Sequence, residues 1–363
     1  MTLVLEGVSK VVGGSVHIHP TSLELSRGTM NVLLGPTSAG KTSLMRLMAG
    51  LDRPGAGRVV WDGADVTGAR VQDRDVAMVY QQFINYPSMS VYDNIASPLR
   101  LRGVAKDEID DRVRRAADLM QLGPLLDRRP LELSGGQQQR CALARALVKA
   151  AGLVLLDEPL ANLDYKLREE LRAEIPRIFE ESGSIFVYAT TEPEEALLLG
   201  GNCATLWQGA VTQFGPTPRV YRRPADAVTA RVFSDPPMNF LEIEKRGGDL
   251  VYGDQRTMPA AALGVDPDLA DGHYSAGFRP GHLGLSPREG AAGFETVLRV
   301  TEITGSETYV HLDHDGDAWV GLVHGVRDLS PGAALTVHVE PRHVYLFDAD
   351  GALVRPAPYA EAA

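Results

Sequence analysis

Two stretches of this chain contain residue types suited to phosphate chemistry, and the first has the form G-x-x-x-x-G-K-[ST]. It begins at Gly35 and reaches Lys41 and Thr42. Its glycines allow main-chain N–H groups to turn around an anion, and a helix that starts at the lysine adds its positive end. Lys41 is expected to reach the β- and γ-phosphates of a nucleotide, and the Thr42 hydroxyl to bind Mg²⁺. The loop and the residue after it comprise Gly35, Pro36, Thr37, Ser38, Ala39, Gly40, Lys41, Thr42 and Ser43.

The second stretch is a short apolar run that ends in two acidic residues. Leu153–Leu156 is followed by Asp157 and Glu158. Asp157 is predicted to hold Mg²⁺, and Glu158 to polarise an attacking water. An Asp-Glu pair after a strand is often only a solvated strand end, so the prediction depends on its pairing with the phosphate loop.

The elements that must position these residues alternate between strand and helix. The predicted strands cover 30–34, 75–80, 153–156 and 184–189, and the helical stretches cover 42–50, 91–126, 137–151 and 165–181. This alternation predicts an α/β fold with a mainly parallel sheet that is covered on both faces. After Pro237 the pattern changes to short β-prone runs separated by Gly, Asp and Pro, which is typical of a small all-β, OB-like domain.

Composition limits the range of functions. A chain of 363 residues accommodates two domains. Its net charge of −11 argues against a nucleic-acid partner. No segment approaches the ~18–20 uninterrupted apolar residues of a membrane span, so any membrane part should come from another chain. Cys141 and Cys203 lack metal-ligand spacing and are expected to be reduced packing residues. Residues 311–317 are rich in His and Asp, but a hairpin turn explains them better than a calcium loop.

One further segment carries a family resemblance. Leu133–Arg140 reads LSGGQQQR and lies between the phosphate loop and the acidic pair. It resembles the signature sequence of ABC ATPases, and the order of the three motifs is that of the family. The resemblance implies ATP and Mg²⁺ as cofactors, and a head-to-tail pair of ATPase subunits. In such a pair the signature residues would contact the partner's ATP; these are Ser134, Gly135, Gly136 and Gln137.

Other elements of the family also find matches in the sequence. The resemblance implies that Gln81 senses Mg²⁺ and the γ-phosphate, and that Asp164 communicates across the dimer. It implies that Phe83–Tyr92 docks a membrane subunit. The expected partners are a second ATPase subunit, two membrane permease subunits and an extracytoplasmic solute-binding protein. The chain would then lie peripherally on the cytoplasmic face of the membrane.

Several segments narrow the resemblance to the sugar importers typified by the maltose system. These segments are Leu160–Asp164, Gly215–Pro218, Tyr221–Pro224, Pro236–Asn239 and Phe278–His282. This subfamily implies import of a small polar solute such as a sugar, a polyol or glycerol. It also implies an ABC nucleotide-binding domain over 1–235, with a helical subdomain over about 85–150, and a β-rich regulatory domain over 236–363.

Two positions depart from the family pattern. Thr191 occupies the place of the switch histidine that donates to the γ-phosphate. Val12 occupies the place of the aromatic platform under adenine, a role for which His17 or His19 is an alternative. We therefore expect one half of an asymmetric heterodimer, in which this chain's own site turns over slowly. A homodimer with two weakened sites, and an ATP-binding scaffold with little hydrolysis, are the alternatives. A soluble ABC protein of DNA repair or translation is disfavoured, because a second cassette and a long coiled coil are both missing from the sequence.

Overall fold

The computed structural model describes residues 1–161 and 163–360. Asn162, which belongs to one of the segments that resemble the importer subfamily, lies outside the described residues. The chain forms two compact units, Met1–Thr217 and Pro218–Ala363. The expected domain boundary at 235 and 236 falls within the second unit, so assignment of residues 218–235 to the nucleotide-binding domain stays a prediction.

The first unit contains two sheets. Its strands are β1 (Thr2–Val12), β2 (Ser15–Ser26), β3 (Met30–Leu34), β4 (Ala56–Trp61), β5 (Ala64–Asp65), β6 (Val76–Val79), β7 (Leu153–Asp157), β8 (Ile185–Thr190), β9 (Asn202–Trp207) and β10 (Ala210–Pro216). One sheet is antiparallel in the order β2-β1-β4-β5. The other has the order β10-β9-β3-β8-β7-β6, and only β10 runs antiparallel to its neighbour. The predicted, mainly parallel sheet is therefore present.

Helices connect and cover these strands. They are α1 (Lys41–Ala49), α2 (Val91–Leu101), α3 (Lys106–Leu119), α4 (Gly135–Val148), α5 (Tyr165–Ser182) and α6 (Pro193–Leu199). A further helix, α7 (Thr217–Arg222), starts at the last residue of this unit and continues into the second. The buried side chains Leu44 and Met45 of α1 share one core with Leu5 of β1 and Leu155 of β7. This packing holds α1 between the two sheets. The stretch predicted as helical over 91–126 is two helices, because Gly103 takes a φ of 71° between them.

The second unit is largely antiparallel β structure. After α7 it contains α8 (Ala227–Val232), followed by β11 (Asn239–Arg246), β12 (Asp249–Tyr252), β13 (Arg256–Pro259), β14 (Gly272–Phe278), β15 (Leu283–Gly284), β16 (Ala292–Ile303), β17 (Glu307–His314), β18 (Asp317–His324), β19 (Ala334–Val339), β20 (Tyr345–Asp348) and β21 (Leu353–Arg355). The strand orders are β13-β12-β11-β14-β20-β21 and β15-β19-β16-β17-β18. The segment rich in His and Asp, residues 311–317, covers the end of β17, the turn and the first residue of β18, so it belongs to a hairpin as expected.

Candidate nucleotide-binding site

The phosphate loop joins the carboxyl end of β3 to the start of α1. Gly40 has a φ of 103°, and a Cβ atom there would lie 3.0 Å from the main-chain oxygen of His17. At Gly35 a Cβ atom would lie only 2.4 Å from the main-chain oxygen of Leu206. Both glycines are therefore required by close main-chain approach, which lets the loop curl tightly at the end of β3.

Lys41 is the first residue of α1 and points back over the loop. Its side chain is only 5% exposed. The ammonium donates to the main-chain oxygens of Gly35, at 2.7 Å, and Pro36, at 3.1 Å. It also lies 3.4 Å from Oε1 of Glu158. Burial lowers the pKa of Lys41, and the carboxylate of Glu158 partly opposes that shift. The loop thus holds a buried cation at its centre.

The acidic pair lies at the same edge of the sheet, because parallel strands bring their carboxyl ends together. Thr42 donates its hydroxyl hydrogen to Oδ2 of Asp157 at 2.7 Å. Burial raises the pKa of Asp157, and this hydrogen bond opposes the rise. Glu158 has a φ of 45°, an uncommon conformation for a residue with a side chain. Its Oε2 accepts a hydrogen bond from Nε2 of Gln81 at 2.9 Å. The geometry therefore links Lys41, Gln81 and Glu158 in one polar cluster.

This cluster forms part of the wall of a cavity of about 480 Å³. The lining residues are Ser15, Val16, His17, Thr37, Ser38, Gly40, Lys41, Thr42, Ser43, Gln81, Glu158, Gln208 and Gly209. Sequence reasoning missed four of these residues, because they come from two hairpins that have no motif of their own. They are Ser15, Val16, Gln208 and Gly209. Their contribution depends on how β2 and the turn between β9 and β10 pack beside the loop.

Several positions from the sequence analysis lie outside the lining of this cavity, among them Asp157, Val12, His19 and Thr191. Val12 ends β1 and is 47% exposed. His19 lies on β2 beside a separate hollow. Thr191 lies in an exposed bend between β8 and α6. The functional interpretation of Val12 and Thr191 as degenerate positions stays a prediction.

The residues present fit a nucleoside triphosphate with a divalent cation. A buried ammonium and a loop of close-packed main chain suit phosphate oxygens. The hydroxyl of Thr42 and the carboxylate of Asp157 are hard oxygen donors of the kind that Mg²⁺ takes in proteins. Gln81 and Glu158 add further polar groups to the lining of the cavity.

The signature segment forms the start of α4. Ser134 is the N-cap residue, and its main-chain N–H donates to Oε1 of Gln137 at 2.9 Å. Gln137 in turn donates its main-chain N–H to Oγ of Ser134 at 3.4 Å. Ser134 and Gly135 are exposed. Further along α4, the buried Gln139 donates to the main-chain oxygen of Pro159 at 2.7 Å, which connects this helix to the turn after Glu158.

Comparison with known proteins now decides the family. A family model described as "ABC transporter" matches residues 18–161. A trehalose/maltose import ATP-binding protein of Thermococcus litoralis is 36% identical over 95% of this chain and 96% of its own length. The chain belongs to the ATP-binding subunits of ABC transporters. Membership of this family makes it an ABC-type ATPase that binds ATP.

Other relatives of this ABC ATPase support the same assignment. Proteins named sn-glycerol-3-phosphate import ATP-binding protein, from Cupriavidus pinatubonensis and Bordetella parapertussis, are each 36% identical over 96% of this chain and 97% of their own length. A solved ATP-binding cassette, MJ0796, matches with a TM-score of 0.55 and 26% identity over 59% of this chain and 98% of that one. The MJ0796 structure is a dimer in a post-hydrolysis state, bound to ADP and Pi.

Two further elements of the ABC ATPase are well defined. Asp164 is exposed and caps α5, where its carboxylate accepts the main-chain N–H of Leu167 at 3.0 Å. The segment Phe83–Tyr92 is irregular up to Ser90 and is held by the buried Asn94. The Asn94 side chain accepts from the main-chain N–H of Tyr86 at 2.8 Å and donates to the main-chain oxygens of Tyr86, Met89 and Ser90.

Proposed function

We propose that this ABC ATPase powers import of a small polar solute, such as a sugar, a polyol or glycerol. The observation that carries the proposal is the Lys41–Glu158–Gln81 cluster in the wall of one cavity, together with Thr42, which lines the same cavity and is bonded to Asp157. The names of the relatives that match over nearly their whole length, which concern trehalose, maltose and sn-glycerol-3-phosphate import, support the solute class. We assign residues 1–235 to the nucleotide-binding domain and 236–363 to an accessory domain.

The site residues divide into binding and catalytic roles. The loop 35–43 binds the phosphates, and Lys41 neutralises charge that develops on them. Glu158 orients and polarises the attacking water, and its hydrogen bond from Gln81 couples that carboxylate to the occupancy of the site. Thr42, Asp157 and Gln81 would hold Mg²⁺, which supplies charge neutralisation at the phosphates when bound.

Two exposed surfaces of the chain suit contacts with other subunits of a transporter. Ser134, Gly135, Gly136 and Gln137 present an exposed helix start, which suits contact with ATP held by a second ATPase subunit. Ile84, Tyr86 and Met89 are large apolar side chains exposed within 83–92, which suits docking of a permease subunit. A transporter of this type includes two permease subunits and an extracytoplasmic solute-binding protein, with this chain peripheral at the cytoplasmic face. None of the helices in residues 1–161 and 163–360 has the length and apolar character that crossing a bilayer requires.

We further propose that the ATPase pair is asymmetric. Thr191 has no cation to offer a γ-phosphate, and a missing donor of this kind lowers rates by about 10²–10³. The signature of this chain is intact, so it would complete a faster site on a non-identical partner. The exposed position of Thr191, outside the cavity lining, supports slow turnover here and also suits the alternative of an ATP-binding scaffold.

Reconstitution tests these proposals. ATP hydrolysis by the purified chain should be slow alone and should rise when the permease and the second ATPase chain are added. Thr191→His should raise turnover, whereas Glu194→His, at an exposed position in the same segment, should not. Purification of the intact transporter with two copies of this chain and no other ATPase would refute the asymmetric pair. Hydrolysis that stays absent in the full assembly would favour the scaffold.

A further inference from the structure

The backbone at Glu158 has a conformation that few residues with a side chain adopt. Its φ of 45° lies in the left-handed region, and such a conformation persists only where the surrounding contacts fix it. The main-chain N–H of Glu158 donates to the oxygen of Ala189 at 3.0 Å, and its oxygen accepts from the N–H of Ala161 at 3.3 Å. Pro159 follows and has no main-chain N–H, so a hydrogen bond can hold this residue only through its oxygen.

A glutamine of α4 provides that hydrogen bond. Gln139 is only 2% exposed, and its Nε2 donates to the main-chain oxygen of Pro159 at 2.7 Å. The helix is itself fixed beside this contact, because Nδ2 of Asn85 donates to the main-chain oxygen of Gln138 at 2.8 Å. Gln139 therefore reaches from a held helix to the turn that directly follows Glu158.

Packing alone does not account for a glutamine at position 139. Its Oε1 is buried and accepts no hydrogen bond from residues 1–161 and 163–360. An unsatisfied buried acceptor lowers stability, and an apolar side chain of similar length would bring no such acceptor into the core. Residues that break a local rule at a cost in stability are expected at functional sites. This glutamine therefore calls for a role beyond filling the core.

We propose that Gln139 is a positioning residue for ATP hydrolysis, which keeps the Glu158 carboxylate in place by holding the turn after it. The inference rests on the proposed role of Glu158 and adds the residue that maintains its geometry. The carboxylate lies 3.4 Å from Nζ of Lys41 and accepts from Nε2 of Gln81 at 2.9 Å. Rotation of the backbone at Glu158 would break both contacts. Gln139 lies outside the described lining of the cavity, so it acts through Glu158 and not on the nucleotide.

Single-turnover ATP hydrolysis by the full-length chain with Mg²⁺ tests the assignment. Gln139→Met removes the donor but keeps the length of the side chain. It exchanges the unsatisfied Oε1 for an unsatisfied oxygen at Pro159, so the Tm should stay within about 3 °C of the wild type. The hydrolysis rate should fall about five-fold or more, because a small displacement of a reacting group is costly, while the Kd for ATP changes less than about two-fold.

A control on the same helix separates positioning from a loosened α4. Ala142 is 4% exposed, and Ala142→Gly removes no polar contact. This substitution weakens the helix and should lower the Tm by about 2–4 °C, yet the rate of hydrolysis should match the wild type.

A double variant tests whether Gln139 acts through Glu158. Glu158→Gln removes the carboxylate that Gln139 is proposed to position. Adding Gln139→Met to Glu158→Gln should therefore slow hydrolysis no further, since two changes in one pathway are not additive. A further fall as large as the one in the wild-type background would show that Gln139 acts elsewhere and would overturn the assignment.

Each other result also overturns the assignment. A smaller fall in rate for Gln139→Met, while Glu158→Gln alone slows hydrolysis, removes Gln139 from the mechanism and leaves the proposed function intact. Equal slowing by Ala142→Gly attributes the effect to the helix, and a larger loss of Tm or a weaker ATP Kd in Gln139→Met gives this residue a structural or binding role. If the wild type does not hydrolyse ATP, or Glu158→Gln hydrolyses it as fast, the proposed role of Glu158 fails and the inference fails with it.

Discussion

A buried carboxylate in α6, the helix that follows β8, provides the sharpest test of the structure. Glu195 is only 5% exposed. Its carboxylate accepts hydrogen bonds from the hydroxyls of Thr190, at 2.6 Å, and Tyr188, at 3.2 Å, and from the Arg172 guanidinium at 3.3 Å. The Thr190 hydroxyl oxygen also accepts the main-chain N–H of Glu192 at 3.0 Å. This network therefore sets the backbone of the bend that carries Thr191.

We expect Glu195→Gln to destabilise the first unit. A glutamine side chain has one accepting oxygen and one donating NH₂ group. The three donors that bond to the carboxylate would then face a single acceptor atom. Arg172 retains carboxylate partners in Glu169, at 2.7 Å, and Glu192, at 2.9 Å, so the guanidinium is not left unpaired. Losing one or two bonds to a charged acceptor costs about 3 kcal/mol in the free energy of unfolding. For a unit of 217 residues, that corresponds to a fall in Tm of about 6–12 °C.

Scanning calorimetry measures this effect in the transition that ATP shifts. Glu194→Gln makes the same chemical change at the exposed neighbouring position and should stay within about 0.5 kcal/mol of the wild type. A Glu195→Gln variant as stable as this control would refute the reasoning, because the three hydrogen bonds would then contribute nothing net.

Three other outcomes follow from the described contacts. Glu158→Gln should slow single-turnover hydrolysis at this chain's own site by about 10²-fold or more while ATP still binds. A variant that releases phosphate as fast as the wild type would show that Glu158 does not polarise the attacking water. Asp157→Asn should abolish hydrolysis yet raise the Tm of the ligand-free chain, since burial disfavours the ionised carboxyl and raises its pKa. The wild type should accordingly lose stability relative to this variant as pH rises through the pKa of Asp157, and a lower Tm in the variant across that range would contradict this expectation. In the second unit, His282 stacks on His343 with ring centroids 4.0 Å apart, and burial, reinforced by the charges of neighbouring cations, lowers the pKa of His282 to about 3. The unfolded chain therefore binds the proton first, so the free energy of unfolding should fall as pH drops from about 7 to about 3, and urea denaturation of His282→Phe should show a smaller fall.

The motifs of this ABC ATPase were readable from the sequence because each is a contiguous segment. The loop that starts at Gly35 has its chemistry in eight successive residues, and the acidic pair follows directly on an apolar strand. The alternation of strand and helix likewise predicted the parallel sheet. The predicted ends of its strands over 30–34, 75–80, 153–156 and 184–189 differ from the observed ends by no more than one residue, as for β6, observed at Val76–Val79.

Contacts between side chains from separate segments could not be predicted from the sequence. The bond from Gln81 to Glu158 joins residues that are 77 positions apart in the chain. The Glu195 network depends on a helix, a strand and a bend that meet only after the sheet has formed. The sequence also left two histidines equivalent, whereas the structure places His17 in the lining of the nucleotide cavity and His19 beside a separate hollow.

The sequence by itself determined the family, the phosphate loop, the acidic pair and the change from α/β to β structure, since these depend on local residue type and short-range periodicity. Tertiary structure alone decided which side chains line the nucleotide cavity. The physical reason is that strand register and close glycine packing are set by the whole core, and a shift of one residue in either would point a different side chain at the ligand.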